Sequence, residues 1–287
     1  MIARYPYVAI DVDADDADDA ASHLFELGAG GVETRDETTL ARGAAGKVTL
    51  IGSFEREEDA RSAMRELPPR WSPRVEVVVG DAWRDEWKKH FEPFPIATGV
   101  VVCPPWKDYA ATAGERVVVL EPGRAFGTGL HETTSLVAQV LGDQAERFRA
   151  RAVLDVGCGS GVLSLVSLAL GASTARAIDV DPDAVLVTRE NALRNGLAER
   201  VHADRSPVET LAGQYAAVVA NIEATTLVEL APALMARMAP GGLLVLSGIL
   251  APDVAPTQLT SVRSAYSALV VESVPRKGEW IAVVMSR

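Results

Sequence analysis

Apolar and polar positions repeat with two periods along this chain, and the change of period divides it. Tyr7 to Val12 alternates as a strand, and Gly31–Arg35, Lys47–Ile51 and Val75–Val79 read the same way. Between them Ala17 to Leu27 has helical spacing and stops at Gly28, and Glu57 to Leu67 is a second helix stopped by Pro68-Pro69. The order βαββαβ is the ferredoxin-like α+β plan, with two helices on one face of a four-stranded sheet. In Asp81–Phe94 the aromatics Trp83, Trp87 and Phe91 recur every four residues, the stripe of a connecting helix packed on a domain. Ile96–Val102 and Val117–Leu120 read as a hairpin.

From Val153 onward strand and helix alternate. Strands are expected at Val153–Val156, Ala175–Asp179, Arg200–Ala203, Tyr215–Ala220, Leu243–Ser247, Ala268–Val274 and Trp280–Met285. Helices are expected at Val162–Leu170, Pro182–Asn195 and Glu223–Met238, with another after Ala251. The fold class is α/β: a Rossmann-like, mostly parallel sheet whose last two strands pair antiparallel, unlike an all-parallel dinucleotide fold. Three segments follow: residues 1–80 as a ferredoxin-like domain, 81–95 as a linker helix and 96–287 as the α/β domain.

Composition narrows the partners. The chain has 287 residues, 48% hydrophobic, and a formal charge of −11. Met1 to Asp81 holds 17 acidic and 9 basic residues, so −8 of that charge lies in the first segment. Naked nucleic acid selects for the opposite sign; a basic protein suits this one, and so does solubility alone. The run Asp11 to Asp19 lacks the glycine and terminal glutamate of a calcium loop, and no metal is expected. Two cysteines, Cys103 and Cys158, form neither a ligand cluster nor a disulfide framework. With no signal-like opening and no bilayer-length apolar run, a cytoplasmic protein is expected.

The chemistry concentrates in two glycine-rich loops, Asp155 to Gly161 and, upstream, Ala125 to Thr134. Asp155-Val156-Gly157-Cys158-Gly159-Ser160-Gly161 follows an expected strand and precedes a helix. Glycines let a ligand approach the backbone closely. The spacing is GxGxG rather than the GxGxxG of nicotinamide folds, and Asp155 would repel a phosphate but attract an amino-acid ammonium. That favours a nucleoside with an amino-acid tail, such as S-adenosylmethionine. Asp179, ending the next strand, is placed to accept both ribose hydroxyls, while Asp181 before Pro182 suits a helix N-cap. Asn221-Ile222-Glu223-Ala224 lies at the carboxyl end of a strand, where an amide oxygen and a backbone carbonyl can hold a substrate amine; Asn is equally a loop residue or cap.

These residues carry a resemblance. Glu121-Pro122-Gly123-Arg124-Ala125-Phe126-Gly127-Thr128-Gly129-Leu130-His131-Glu132-Thr133-Thr134, Asp155 to Gly161, Asp179-Val180-Asp181 and Asn221-Ile222-Glu223-Ala224 resemble the PrmA-type ribosomal protein methyltransferases. So do Asp85-Glu86-Trp87-Lys88, Cys103-Pro104-Pro105-Trp106 and Ser247-Gly248-Ile249-Leu250. The resemblance implies a class I S-adenosylmethionine-dependent methyltransferase domain, a linker helix, and an N-terminal domain that grips the basic large-subunit ribosomal protein eleven (L11). It puts cofactor contacts on Thr134, Gly157, Asp179 and Asn221, with Phe126, Gly127 and Thr128 shielding the sulfonium and Asp155 and Gly159 in the cofactor loop. Asn221 would orient the amine with the Ile222 carbonyl as helper. His131 would either relay a proton through water or sit structurally at a helix start.

Three departures stand out. Leu130-His131-Glu132 replaces the family's Thr-His-Pro, Glu223 replaces a leucine, and Glu121 replaces an aspartate. They touch the substrate more than the cofactor. Three other readings stay open at this point: a related lysine methyltransferase acting on a non-ribosomal metabolic protein, an NAD-dependent oxidoreductase, and a non-catalytic binding module.

Overall fold

The computed structural model describes residues 4–13, 16–35, 47–79, 91–121, 127 and 129–287. The expected linker helix at 81–95 falls mostly outside the described residues, as do Phe126 and Thr128. The chain divides into two compact units, Met1–Phe91 and Glu92–Arg287.

The first unit runs β1 (Arg4–Val12), α1 (Ala17–Glu26), β2 (Gly31–Arg35), β3 (Val48–Ser53), α2 (Glu57–Glu66) and β4 (Arg74–Val79). Its sheet order is β2-β3-β1-β4 with every pair antiparallel. Alternation decides the faces. Val8, Ile10 and Val12 point inward to Leu24, Leu50, Ala60, Ala63 and Trp71. On the other face Asp11 accepts from Thr49 Oγ1 at 2.6 Å and from Arg74 at 2.6 Å. Gly28 ends α1 at φ +94°, a conformation that suits glycine at a helix terminus.

The second unit opens with β5 (Phe94–Ala97), β6 (Val100–Cys103) and β7 (Arg116–Val119). The hairpin lies within β5 and β6, turning at Thr98-Gly99, and β7 joins β6 in parallel. This corrects the expected hairpin of Ile96–Val102 with Val117–Leu120. Next come α3 (Glu132–Asp143), β8 (Ala152–Val156), α4 (Val162–Ala169), β9 (Thr174–Ile178), α5 (Pro182–Arg194), β10 (Val201–Asp204) and β11 (Tyr215–Asn221). The chain then forms α6 (Ala224–Glu229), α7 (Ala231–Arg237), β12 (Met238–Leu250), α8 (Gln258–Ala265), β13 (Val270–Ser273), β14 (Arg276–Lys277) and β15 (Trp280–Ser286). The single helix expected over Glu223–Met238 is two: Pro232 lies in the first turn of α7, where its missing N–H costs nothing.

The large sheet has the order β10-β9-β8-β11-β12-β15-β13, with β14 paired to β15. The first five strands are parallel and β15 is antiparallel to both neighbours. Each central strand feeds two cores. Val219 and Val245 face Val137, Leu165 and Val185, whereas Val218 and Leu244 face Leu227, Leu234 and Val262. Helices therefore cover both faces, and the parallel strands are apolar on both sides, as such strands must be. The direction of winding reverses between β8 and β11, which opens a crevice at their carboxyl ends. Among the described residues no helix is long and apolar enough to cross a membrane.

Candidate active site

A cavity of about 740 Å³ occupies that crevice, within the usual range for ligand sites. Gly157, Gly159, Asp179, Asn221 and Ile222 line it, together with His131, Glu223, Gly248 and Trp280.

The loop after β8 is built by close approach. Gly157 has φ +72°, and a Cβ there would lie 2.3 Å from Ile222 Cγ2. Gly161 has φ +79°, and a Cβ would lie 2.8 Å from Thr188 Cγ2. Both positions thus need glycine for conformation and for space. The loop's amides are turned inward. Gly157 and Cys158 donate to the Ile178 carbonyl, Gly159 to Asp179 Oδ2, Gly161 to the Cys158 carbonyl and Val162 to Ser160 Oγ. Those donors are not offered as the anion cradle that pyrophosphate needs.

Asp155 is 2% exposed at the end of β8. Its Oδ2 accepts from the Ser164 amide at 3.1 Å and the Ser164 hydroxyl at 2.7 Å. Its Oδ1 is buried with no hydrogen-bond partner among the described residues. Burial pushes its carboxyl up to about 6, and the negative charge of Asp179 adds to that. Asp179 accepts from Gly159 N at 2.9 Å and from Asp181 N at 3.0 Å, one amide per oxygen. A carboxylate has about four acceptor sites, so capacity for two hydroxyls remains. Asp181 caps α5 by accepting from Asp183 N at 2.8 Å, ahead of Pro182.

At the end of β11, the strand beside β8, Asn221 Nδ2 donates to Thr134 Oγ1 at 3.3 Å. That leaves Oδ1 as the acceptor for an incoming donor. Thr134 is 1% exposed in the first turns of α3, behind Asn221 and off the cavity wall. The Ile222 amide donates to the Ser247 carbonyl, and Gly248, at φ +84°, lies so close that a Cβ would meet Ile222 O at 2.2 Å. Gly248 therefore keeps the Ile222 carbonyl uncovered. His131 is the N-cap of α3; its Nδ1 accepts from Thr133 N at 3.4 Å, and its ring sits edge-on to Trp280 with centroids 5.5 Å apart. Glu223 is exposed at the N-cap of α6 and makes no side-chain cap bond. The second glycine-rich loop reaches the first at Gly127, whose carbonyl accepts from Ser160 Oγ.

The sequence thus assembles Gly157, Gly159, Asp179, Asn221 and Ile222 on one wall, and places Asp155 and Thr134 behind it. It did not single out Ser164, which holds Asp155, or Trp280, which closes the wall beside His131. A serine on the fully buried α4 was the signal for the first. For the second nothing local distinguished a tryptophan opening a strand.

A mostly parallel sheet with an antiparallel β15 beside β12, and a crevice under a glycine-rich loop at its switch point, define a class I, Rossmann-like methyltransferase. The chain belongs to the family described as ribosomal protein L11 methyltransferase (PrmA), whose model matches residues 4–287. A ribosomal protein L11 methyltransferase of Sorangium cellulosum (strain So ce56) is 54% identical over 255 residues, covering 87% of this chain and 80% of that protein. One from Pelobacter propionicus is 36% identical and covers 100% of this chain and 99% of its own. The crystal structure of a ribosomal protein L11 methylase from Lactobacillus delbrueckii subsp. bulgaricus superposes with a TM-score of 0.60 at 28% identity, covering 69% of this chain and 99% of that one.

Proposed function

We propose that this chain transfers methyl groups from S-adenosylmethionine to amines of ribosomal protein L11, in the cytoplasm. The observation that carries the reading is the Asn221 carboxamide, turned by Thr134 so that Oδ1 is left for an amine, in the cavity that the cofactor loop also lines.

The residues present suit that cofactor. The inward-turned amides and the carboxylates of Asp155 and Asp179 disfavour a dinucleotide and suit a nucleoside with a cationic tail. Asp179 would hold the ribose, with Gly157 and Gly159 letting the ligand lie against the backbone. Asp155 would contribute negative potential from beneath the loop, and Phe126, Gly127 and Thr128 would shield the reacting centre. Bound there, S-adenosylmethionine supplies an electrophilic methyl carbon on a good leaving group.

The protein's own part is alignment and exclusion of water, which can account for much of the acceleration. Asn221 Oδ1 accepts from the amine, and the Ile222 carbonyl is available for a second N–H. Two acceptors on one nitrogen direct its lone pair away from them. A lysine amine begins near pKa ~10.4 and must give its proton to solvent before transfer; a largely apolar pocket favours the neutral form. His131, holding the start of α3, acts as a structural cap in this reading. The acidic first unit, through about residue 80, would receive the basic substrate, and 81–95 would link it to the catalytic domain.

Labelled S-adenosylmethionine, incubated with the enzyme and purified L11, should place label on L11 peptides mapped by mass. Label absent from L11 and found on a metabolic enzyme would overturn the substrate.

A further inference from the structure

The cofactor loop is braced from behind by an amide that the transfer itself does not use. Asn191, on α5, is 0% exposed. Its Nδ2 donates to the Ser160 carbonyl at 2.9 Å, and its Oδ1 accepts from the Glu121 amide at 3.3 Å and from Arg194 Nη1 at 3.1 Å. Arg194 also pairs with the Glu121 carboxylate. Ser160 donates from Oγ to the Gly127 carbonyl. Glu121, four residues ahead of the second glycine-rich loop, and Gly127 within it are therefore tied to one residue of the first. One tie runs through the Asn191 amide and the other through the Ser160 hydroxyl.

Packing alone does not call for an amide here. The neighbours on the buried face of α5 include Ala184, Val185, Val187 and Ala192, and an apolar side chain would avoid the cost of desolvating a carboxamide. Asn191 is tolerated because each of its ends is hydrogen-bonded, and such fully satisfied buried groups fix one arrangement of their surroundings. A second asparagine provides contrast. Asn195 accepts from the Val119 amide at 2.8 Å and donates to the Val119 carbonyl at 2.6 Å, as a neighbouring strand would. It anchors β7, donates also to the Asn191 backbone carbonyl at 2.8 Å, and among the described residues has no bond to the cofactor loop.

We propose that Asn191 is a positioning residue for methyl transfer: it sets the cofactor loop and the second glycine-rich loop in one frame, and cofactor affinity depends on it. The inference rests on the cofactor reading above. Asn191→Asp tests it in the full chain, because it keeps the acceptor toward Glu121 and Arg194 but sets a carboxylate oxygen against the Ser160 carbonyl. Calorimetry with S-adenosylhomocysteine should show affinity weakened about tenfold or more, the scale expected when a buried hydrogen-bond partner is lost. The KM for S-adenosylmethionine should rise while the KM for L11 stays within about twofold. Asn195→Asp should lower Tm yet leave S-adenosylhomocysteine affinity within about twofold. Unchanged affinity in Asn191→Asp, or equal weakening in Asn195→Asp, would overturn the proposal. Should Asn191→Asp fail to fold, Asn191→Ser decides, because it withdraws the donor from the Ser160 carbonyl without burying a charge. Weaker S-adenosylhomocysteine binding supports the frame, and unaltered binding refutes it. A parent enzyme that gives no heat with S-adenosylhomocysteine would instead refute the cofactor reading.

Discussion

Asn221 offers one free end of its carboxamide because Thr134 engages the other. Asn221→Ala should lower kcat about 100-fold, the scale of a misaligned reacting group, and change S-adenosylhomocysteine affinity less than about threefold. Thr134→Val should lower kcat less, about tenfold, by freeing the amide to rotate; turnover assays beside calorimetry separate the two effects. Asp155 gives a prediction in pH. Its folded pKa of about 6 lies above the ~3.9 of an unfolded aspartate, so the folded state disfavours the charge. The penalty is absent below about pH 4, builds as pH rises, and is complete above about pH 6, reaching about 3 kcal/mol. Asp155→Asn escapes it, so the Tm of the variant minus that of the parent should increase between pH 4 and pH 6.5. A difference that shrinks over that range would contradict the assignment. The glycine spacing, Asp179 and the Asp181 cap were legible in the sequence because Gly or Pro marks each of those element ends, and Asn221 because it is the polar residue that closes an apolar strand. Asn191 was not, since its partners Ser160 and Glu121 lie 31 and 70 residues away in the chain.

Among the elements, β12 is the most constrained. Its register shifts between Leu246 and Ile249, the interval that contains Gly248. A methyl at Gly248 would strike the Ile222 carbonyl, which is backbone and cannot be trimmed away. At Gly196, φ is +66° and nothing lies within 4 Å of the added atom. Gly196→Ala should therefore cost only the left-handed conformation, about 1–2 kcal/mol, whereas Gly248→Ala should cost clearly more and abolish turnover. Chemical denaturation of both variants checks the ordering. The helix α3 escaped the sequence reading. Thr133 to Leu141 is buried on nearly every side, so no polar face marks a helical period, and its start is rich in threonine and serine. His131 ahead of Thr133 was the local hint. The pairing of β7 was illegible for another reason: a four-residue strand does not specify its neighbour, and this one joins β6 in parallel rather than through a turn.

At the scale of the whole molecule, the two units have separate cores. Val8, Ile10, Leu24 and Leu50 form one, and the faces of the large sheet form the others. Unit Glu92–Arg287 contains every described residue that lines the cavity. Expressed alone it should bind S-adenosylhomocysteine within about threefold of the full chain but lose most of kcat/KM toward L11. Free lysine analogues, which need no docking, should discriminate far less between the two forms. The distinction between a helix-backed antiparallel sheet and a mostly parallel one was read from the order of elements, βαββαβ first and strand–helix alternation from Val153 onward.

The inward-turned backbone of the loop after β8 has a consequence for the enzyme in a cell. ATP and its relatives are abundant there, and many pockets for adenosine compounds must contend with them. This pocket would meet a triphosphate with the Asp179 and Asp155 carboxylates and with five loop amides already occupied, against a single lining arginine, Arg205, among the described residues. Its saturation should then follow the supply of the methyl donor and its spent product more closely than the energy state of the cell.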